Sequence, residues 1–197
     1  SSDVCSSDLT TILNDVYVKT GKAGILYQVR HLTVEENQNE RERLMNELLG
    51  KDDAGREGSW KPGVEYHFIQ RSSTMQDYEP DSAQVQGYCM QGILVGGNIR
   101  CLLKLAGTEY FPDMRDKILL LEAMSGDVGK MITYLSQLDQ LGVFRQIRGV
   151  LLGTFTQMER ENLRPSMEEL ILEYLPSDLP VAKTFEVGHG IDAKPIW

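Results

Sequence analysis

The stretch Lys117-Ile118-Leu119-Leu120-Leu121-Glu122 decides how this chain folds. Ile118 to Leu121 form an unbroken apolar run, the pattern of a strand covered on both faces. Glu122 falls where that strand emerges, and the turn-prone Ser125-Gly126-Asp127 follows. In open α/β sheets, ligands bind and side chains act at the carboxyl ends of the strands. A second strand ending of this kind is expected at Val187-Gly188-His189-Gly190. A carboxylate and an imidazole at two strand ends can form a general base and the group that orients it. A nucleophile to go with them has one good candidate, Ser7 near the start of the chain.

Around the central strand the pattern alternates. Strands are expected over residues 24–29, 64–70, 89–95, 150–155 and 180–187. Helices are expected over 9–20, 35–49, 99–106, 127–141 and 166–175. In the first helix, apolar residues at 9, 12, 13, 16 and 17 mark one face, with Asp8 as a candidate cap. Ser166 and Glu169 have the spacing of a capping box. Residues 51–63 read as an exposed loop. Residues 72–82 are polar, contain Pro80 and mark a boundary between a domain at 1–84 and another at 85–197. Alternating strands and helices predict an α/β fold with a mostly parallel sheet.

Composition narrows the function. The chain has 197 residues, of which 41% are hydrophobic, enough for a packed core. A formal charge of -9 argues against nucleic acid and against anionic membranes as partners. Three cysteines without a CxxC pair argue for a reducing compartment and against a zinc site. His31 and His67 have no evident metal companions, and no metal or cofactor is expected. No apolar run approaches the roughly 20 residues of a membrane span. The opening residues lack the basic-then-apolar order of a signal peptide, so a cytoplasmic location is expected.

Each candidate has a plain alternative. Glu122 could serve in a salt bridge at a strand end. His189 lies between two glycines that leave an imidazole accessible, yet a loop histidine is commonly a surface residue. Ser7 before Asp8 and a helix reads equally as a cap, and no Gly-x-Ser-x-Gly elbow is present. Gly96-Gly97-Asn98 could bind substrate as a phosphate-type cradle. A tight turn with Asn98 as helix cap is the favoured reading there.

Several motifs in order carry a resemblance. Gly92 to Asn98, Leu102-Leu103 and Gly107-Thr108-Glu109-Tyr110 come first. Ile118 to Glu122, Gln137-Leu138 through Gly142-Val143, Gly149 to Phe155 and Gly188-His189-Gly190 continue it. Together they resemble the LD-carboxypeptidase family of serine peptidases, which includes the microcin-immunity peptidases. Ser7-Asp8-Leu9-Thr10 is similar to that family's Ser-Asp-x-Thr nucleophile elbow. The resemblance implies a Ser7–His189–Glu122 triad, with the N–H of Asp8 as an oxyanion donor. It implies release of terminal D-alanine from murein tetrapeptides during peptidoglycan recycling in a bacterial cytoplasm. A peptide–nucleotide antibiotic is the substrate of the immunity members.

The resemblance also implies that residues 1–84 are the remnant of a Rossmann-like N-terminal domain that bears the nucleophile. On that reading the chain is truncated at its start, slightly shortened at its end, and inactive or nearly so alone. Cys5 stands where the family has Gly, Ala123 where it has Asp, and Gly129-Lys130 where it has an aromatic–Arg pair. Rival readings are an amidase or esterase with the same triad, and a module that binds murein peptides without cutting them. A homodimer stays open.

Overall fold

The computed structural model describes residues 7–26, 42, 44–46, 64–73, 77–78, 87–88, 90–190 and 193–196. For residues 7, 8, 77, 78, 87 and 88 it describes the backbone alone. In chain order the elements are α1 (Ser7–Thr20), β1 (His67–Gln70), β2 (Asp77–Tyr78), β3 (Gly87–Tyr88), β4 (Leu94–Asn98) and α2 (Ile99–Leu103). Then come β5 (Ile118–Ala123), α3 (Val128–Gln140), a 3-10 turn at Val143–Arg145, β6 (Gly149–Phe155), α4 (Thr156–Arg160), α5 (Met167–Leu172) and β7 (Val181–Lys183).

The expected mostly parallel sheet is present. Its order is β1-β7-β6-β5-β4, and β4 through β7 run parallel. β1 joins antiparallel to β7, so the sheet draws strands from both sides of residue 84. β2 and β3 form a separate two-stranded ribbon.

Every residue of β5 is buried, as an apolar run in a central strand requires. Its side chains alternate between two cores. Leu119 and Leu121 meet Ile99 and Leu102 of α2, Leu135 and Leu138 of α3, and Leu170 and Ile171 of α5. Ile118 and Leu120 face the other way, with Leu151, Ala182 and Ile196. All the crossover helices thus lie on one face. β4, β5, β6 and β7 are added in chain order, and crossovers of one hand stepping in one direction keep their helices on one side. Among the described residues, Leu26, Val64 and Met90 pack against the core on the second face.

Local signals set the helix ends. Asp127 caps α3 by accepting from the Lys130 N–H. Ser166 and Glu169 form both halves of the capping box on α5. Gly142 ends the α3 region at φ 73°, a left-handed position that suits glycine.

Several expectations are corrected. Gly96 and Gly97 lie inside β4 and do not make a turn. Their φ values are 109° and 123°, which favour glycine. A Cβ on Gly96 would lie 2.3 Å from the Leu120 carbonyl oxygen, and one on Gly97 would lie 2.7 Å from Thr10 Oγ1. These glycines allow β5 and α1 to approach β4 closely. Asn98 does cap the next helix, accepting from the Cys101 N–H.

The apolar face read on α1 does not face the core throughout, since Ile12 and Val16 are exposed. Thr10 and Asn14 are buried in their place. The reason is what α1 covers. Among the described residues β4 is the edge strand of the sheet, and polar side chains of α1 satisfy its backbone groups on that side. The Asn14 amide donates to Gly96 O and its oxygen accepts from Gly96 N, completing the edge as a partner strand would.

The strand expected over 180–187 stops at Lys183. Of the strand expected over 24–29, Leu26 forms one antiparallel bridge with Ile196, and residues 27–29 lie outside the described residues. Of the helix expected over 35–49, residues 42 and 44–46 are described and helical. The loop at 51–63, Cys5, Cys89 and His31 lie outside the described residues. No described helix is long and apolar enough to cross a membrane.

Candidate active site

Glu122 leaves β5 at the carboxyl end of the sheet. In the β4–β5 register it stands beside Asn98. On its other side the ladder with β6 is irregular. Leu121 pairs with Leu152 and Ala123 with Phe155, so Gly153 and Thr154 together oppose Glu122. This is a β-bulge, a device that re-aims side chains beside sites. A Cβ on Gly153 would lie 3.0 Å from the Glu122 Cβ and 2.5 Å from the Val187 carbonyl oxygen. Glycine at 153 therefore lets the loop after β7 close over the carboxylate.

That loop delivers His189. Its Nδ1 lies 2.6 Å from Glu122 Oε2. The two side chains are only 5% and 3% exposed. A carboxylate oxygen accepts, so Nδ1 is the donor and Nε2 is left as the basic nitrogen of the neutral ring. A carboxylate in this position fixes the tautomer and stabilises an imidazolium when one forms. Thr154 holds the backbone on either side of Gly188. The His189 N–H donates to Thr154 Oγ1 at 3.3 Å, and the Thr154 N–H donates to Val187 O at 2.8 Å.

The elements of this site are tied to a buried cation. Lys183 on β7 is 1% exposed, and its Nζ donates to Gly153 O at 2.8 Å and to Glu159 Oε1 at 2.6 Å. Glu159 Oε1 also accepts from the Phe155 N–H at 3.0 Å. Glu168 Oε1 stands 3.4 Å from the same ammonium. Burial opposes ionisation of Glu168, but its own backbone N–H and the charge of Lys183 hold its carboxyl below the ordinary value. Lys183 thus joins β7, β6, α4 and α5 behind the bulge.

The N-terminal end of α1 reaches the same end of the sheet. Thr10 Oγ1 accepts from the Asn98 N–H at 2.9 Å, and Asn98 is the register neighbour of Glu122. Thr10 is three residues after Ser7, which opens α1. The side chains of Ser7 and Asp8 lie outside what is described. Glu122 and His189 are therefore brought into contact. Asn98 is beside them as a cap, while Gly96 and Gly97 lie further back in β4. Among the described residues, no three His, Cys, Asp or Glu side chains group to hold a metal ion.

Reading the residues alone missed Thr154, Lys183, Thr10 and Asn14. Lys183 carried a usable signal, a lone charge after Val181-Ala182 in an otherwise apolar stretch. Thr10 and Asn14 share a face at i, i+4 spacing, but nothing local says that the face meets a strand edge.

Residues 91–197 match the LD-carboxypeptidase C-terminal domain. The chain belongs to the LD-carboxypeptidase family. Among relatives, the YocD protein of Bacillus subtilis (strain 168) is 26% identical over 196 residues, covering 93% of this chain and 57% of that protein. A murein tetrapeptide carboxypeptidase of Pseudomonas aeruginosa is 30% identical over 105 residues, covering 51% of this chain and 34% of that protein. The chain thus spans just over half the length of YocD. The fold is shared with muramoyltetrapeptide carboxypeptidase from Oxalobacter formigenes at a TM-score of 0.59 and 18% identity. That alignment covers 96% of this chain and 59% of the other. The microcin C7 self-immunity protein MccF gives a TM-score of 0.55 at 18% identity, over 91% of this chain and 57% of that one.

Proposed function

We propose that this LD-carboxypeptidase family member is a serine peptidase that cuts an L,D-peptide bond and releases terminal D-alanine from murein tetrapeptides. The observation that carries the reading is the buried Glu122–His189 pair at the carboxyl end of a parallel sheet. In the proposed reaction Ser7 Oγ attacks the carbonyl carbon of the scissile bond. His189 Nε2 takes the serine proton and passes it to the departing amine of D-alanine. Water, deprotonated by the same imidazole, then splits the acyl-enzyme and restores the serine. The Asp8 N–H is the proposed donor to the oxyanion. The hydrogen bond from the Asn98 N–H to Thr10 Oγ1 supports this assignment, because it draws the start of α1 toward Glu122. Of Gly96, Gly97 and Asn98, Asn98 is the residue nearest the proposed site, as the register neighbour of Glu122. Three cysteines without a CxxC pair and the net charge of -9 are consistent with a cytoplasmic enzyme acting on a small peptide.

The test is D-alanine release from a murein tetrapeptide by the product of the complete gene. Release that is lost in His189→Ala is the expected result. No release, or release unchanged in His189→Ala, overturns the proposal. Cleavage of simple esters without the tetrapeptide would point to an esterase, and binding without cleavage to a non-catalytic module. Faster cleavage of an aminoacyl nucleotide would move the substrate to the antibiotic class.

A further inference from the structure

We infer that Thr154 is a positioning residue that sets the place of the His189 imidazole. The inference rests on His189 being the base proposed above. His189 follows Gly188, which sits at φ 135°. Glu122 of β5 holds the ring at Nδ1, and β6 holds the backbone that carries the ring. The Thr154 hydroxyl accepts the His189 N–H, and the Thr154 N–H donates to Val187 O. One residue thus grips the loop on both sides of Gly188. The grip is tight, since a Cβ on Gly188 would lie 2.1 Å from Thr154 Oγ1. Thr154 is itself held by the bulge, whose preceding carbonyl, Gly153 O, accepts from Lys183 Nζ. The hydroxyl contacts the backbone N–H of His189. It acts through the backbone that carries the base.

A base displaced by about 1 Å can cost on the order of a hundredfold in rate. Thr154→Val keeps the shape of the side chain and removes the acceptor. Thr154→Ser keeps the acceptor and removes a methyl group. The expected result is a kcat lowered about tenfold or more in Thr154→Val, with KM within about twofold, and near-normal kcat in Thr154→Ser.

A second readout does not depend on the substrate. The proton between His189 Nδ1 and Glu122 should give a strongly deshielded signal in proton NMR. That signal should persist in the wild type and Thr154→Ser and be lost or broadened in Thr154→Val. Retention of both signal and kcat in Thr154→Val overturns the inference. So does an equal loss in Val and Ser variants, which marks packing in place of positioning. Should Thr154→Val fail to fold, amide exchange at His189 in the wild type and Thr154→Ser decides. Slow exchange supports the hydroxyl contact, and exchange at the unprotected rate refutes it. A wild type that shows the NMR signal but releases no D-alanine would sink the peptidase reading alone and leave the positioning result intact.

Discussion

His189 Nδ1 and Glu122 Oε2 lie 2.6 Å apart although 67 residues separate them in the chain. Both side chains are buried, so the contact is sheltered from water. Glu122→Gln keeps the size of the side chain and removes its charge. The amide cannot stabilise an imidazolium, and its NH2 group can turn toward Nδ1 and select the wrong tautomer. In the complete gene product, kcat for D-alanine release is expected to fall by roughly 10³–10⁴-fold. The melting temperature should stay within a few degrees. A loss under about tenfold would show that Glu122 has no role in orienting the base.

Gly96 answers a different question, whether β4 depends on glycine for its packing. Gly96→Ala introduces a methyl group 2.3 Å from a backbone oxygen of β5, at a φ of 109°. Backbone has little room to give, so a loss of about 2–4 kcal/mol in unfolding free energy is expected from urea denaturation. Gly107→Ala is a useful contrast, because its Cβ would meet nothing within 4 Å at a φ of 80°. That variant should lose about 1 kcal/mol, from backbone strain alone. Equal losses in the two would show that close packing against β5 is not the constraint.

Lys183 is buried against two carboxylates and a carbonyl. Lys183→Met leaves Gly153 O without that donor and Glu159 without its cation. Glu159 is 35% exposed, which lets water compensate part of the loss. A destabilisation of about 1–3 kcal/mol is expected. Combining it with Glu159→Gln should cost less than the sum of the single changes. Strict additivity in that double-mutant cycle would mean that the pair does not interact.

Glu169 makes stability depend on acid. The Ser166 backbone N–H donates to its carboxylate, and Arg164 adds to this, holding the carboxyl below its ordinary value of 4.5. A group whose folded value is depressed stabilises above the unfolded value and loses that contribution as pH falls through the folded one. Glu169→Gln keeps an oxygen able to accept the Ser166 N–H but carries no charge. The wild type is therefore expected to be the more stable of the two near neutral pH. Their difference should shrink below about pH 4.5. Thermal melts from pH 3 to about 7 test this, and a difference that grows on acidification would reverse the sign.

The sequence by itself determined the parallel strands, the two-sided burial of β5, the caps at Asn98 and Ser166 and the candidacy of Glu122 and His189. These are legible because each depends on a few adjacent residues: an apolar run, a capping spacing, a histidine between glycines. Tertiary structure decided the rest. It put Gly96 and Gly97 inside a strand, because the closeness of β5 and α1 is a property of packing and not of the dipeptide. It turned Thr10 and Asn14 inward, because the surface that α1 covers is a strand edge with polar groups to satisfy. It also made Thr154 and Lys183 part of the site's support. Their partners lie 35 residues away at His189, and 30 and 24 residues away at Gly153 and Glu159. Hydrogen bonds across such separations exist only once the strands are side by side, so local sequence can flag a lone charge such as Lys183 but not its partners.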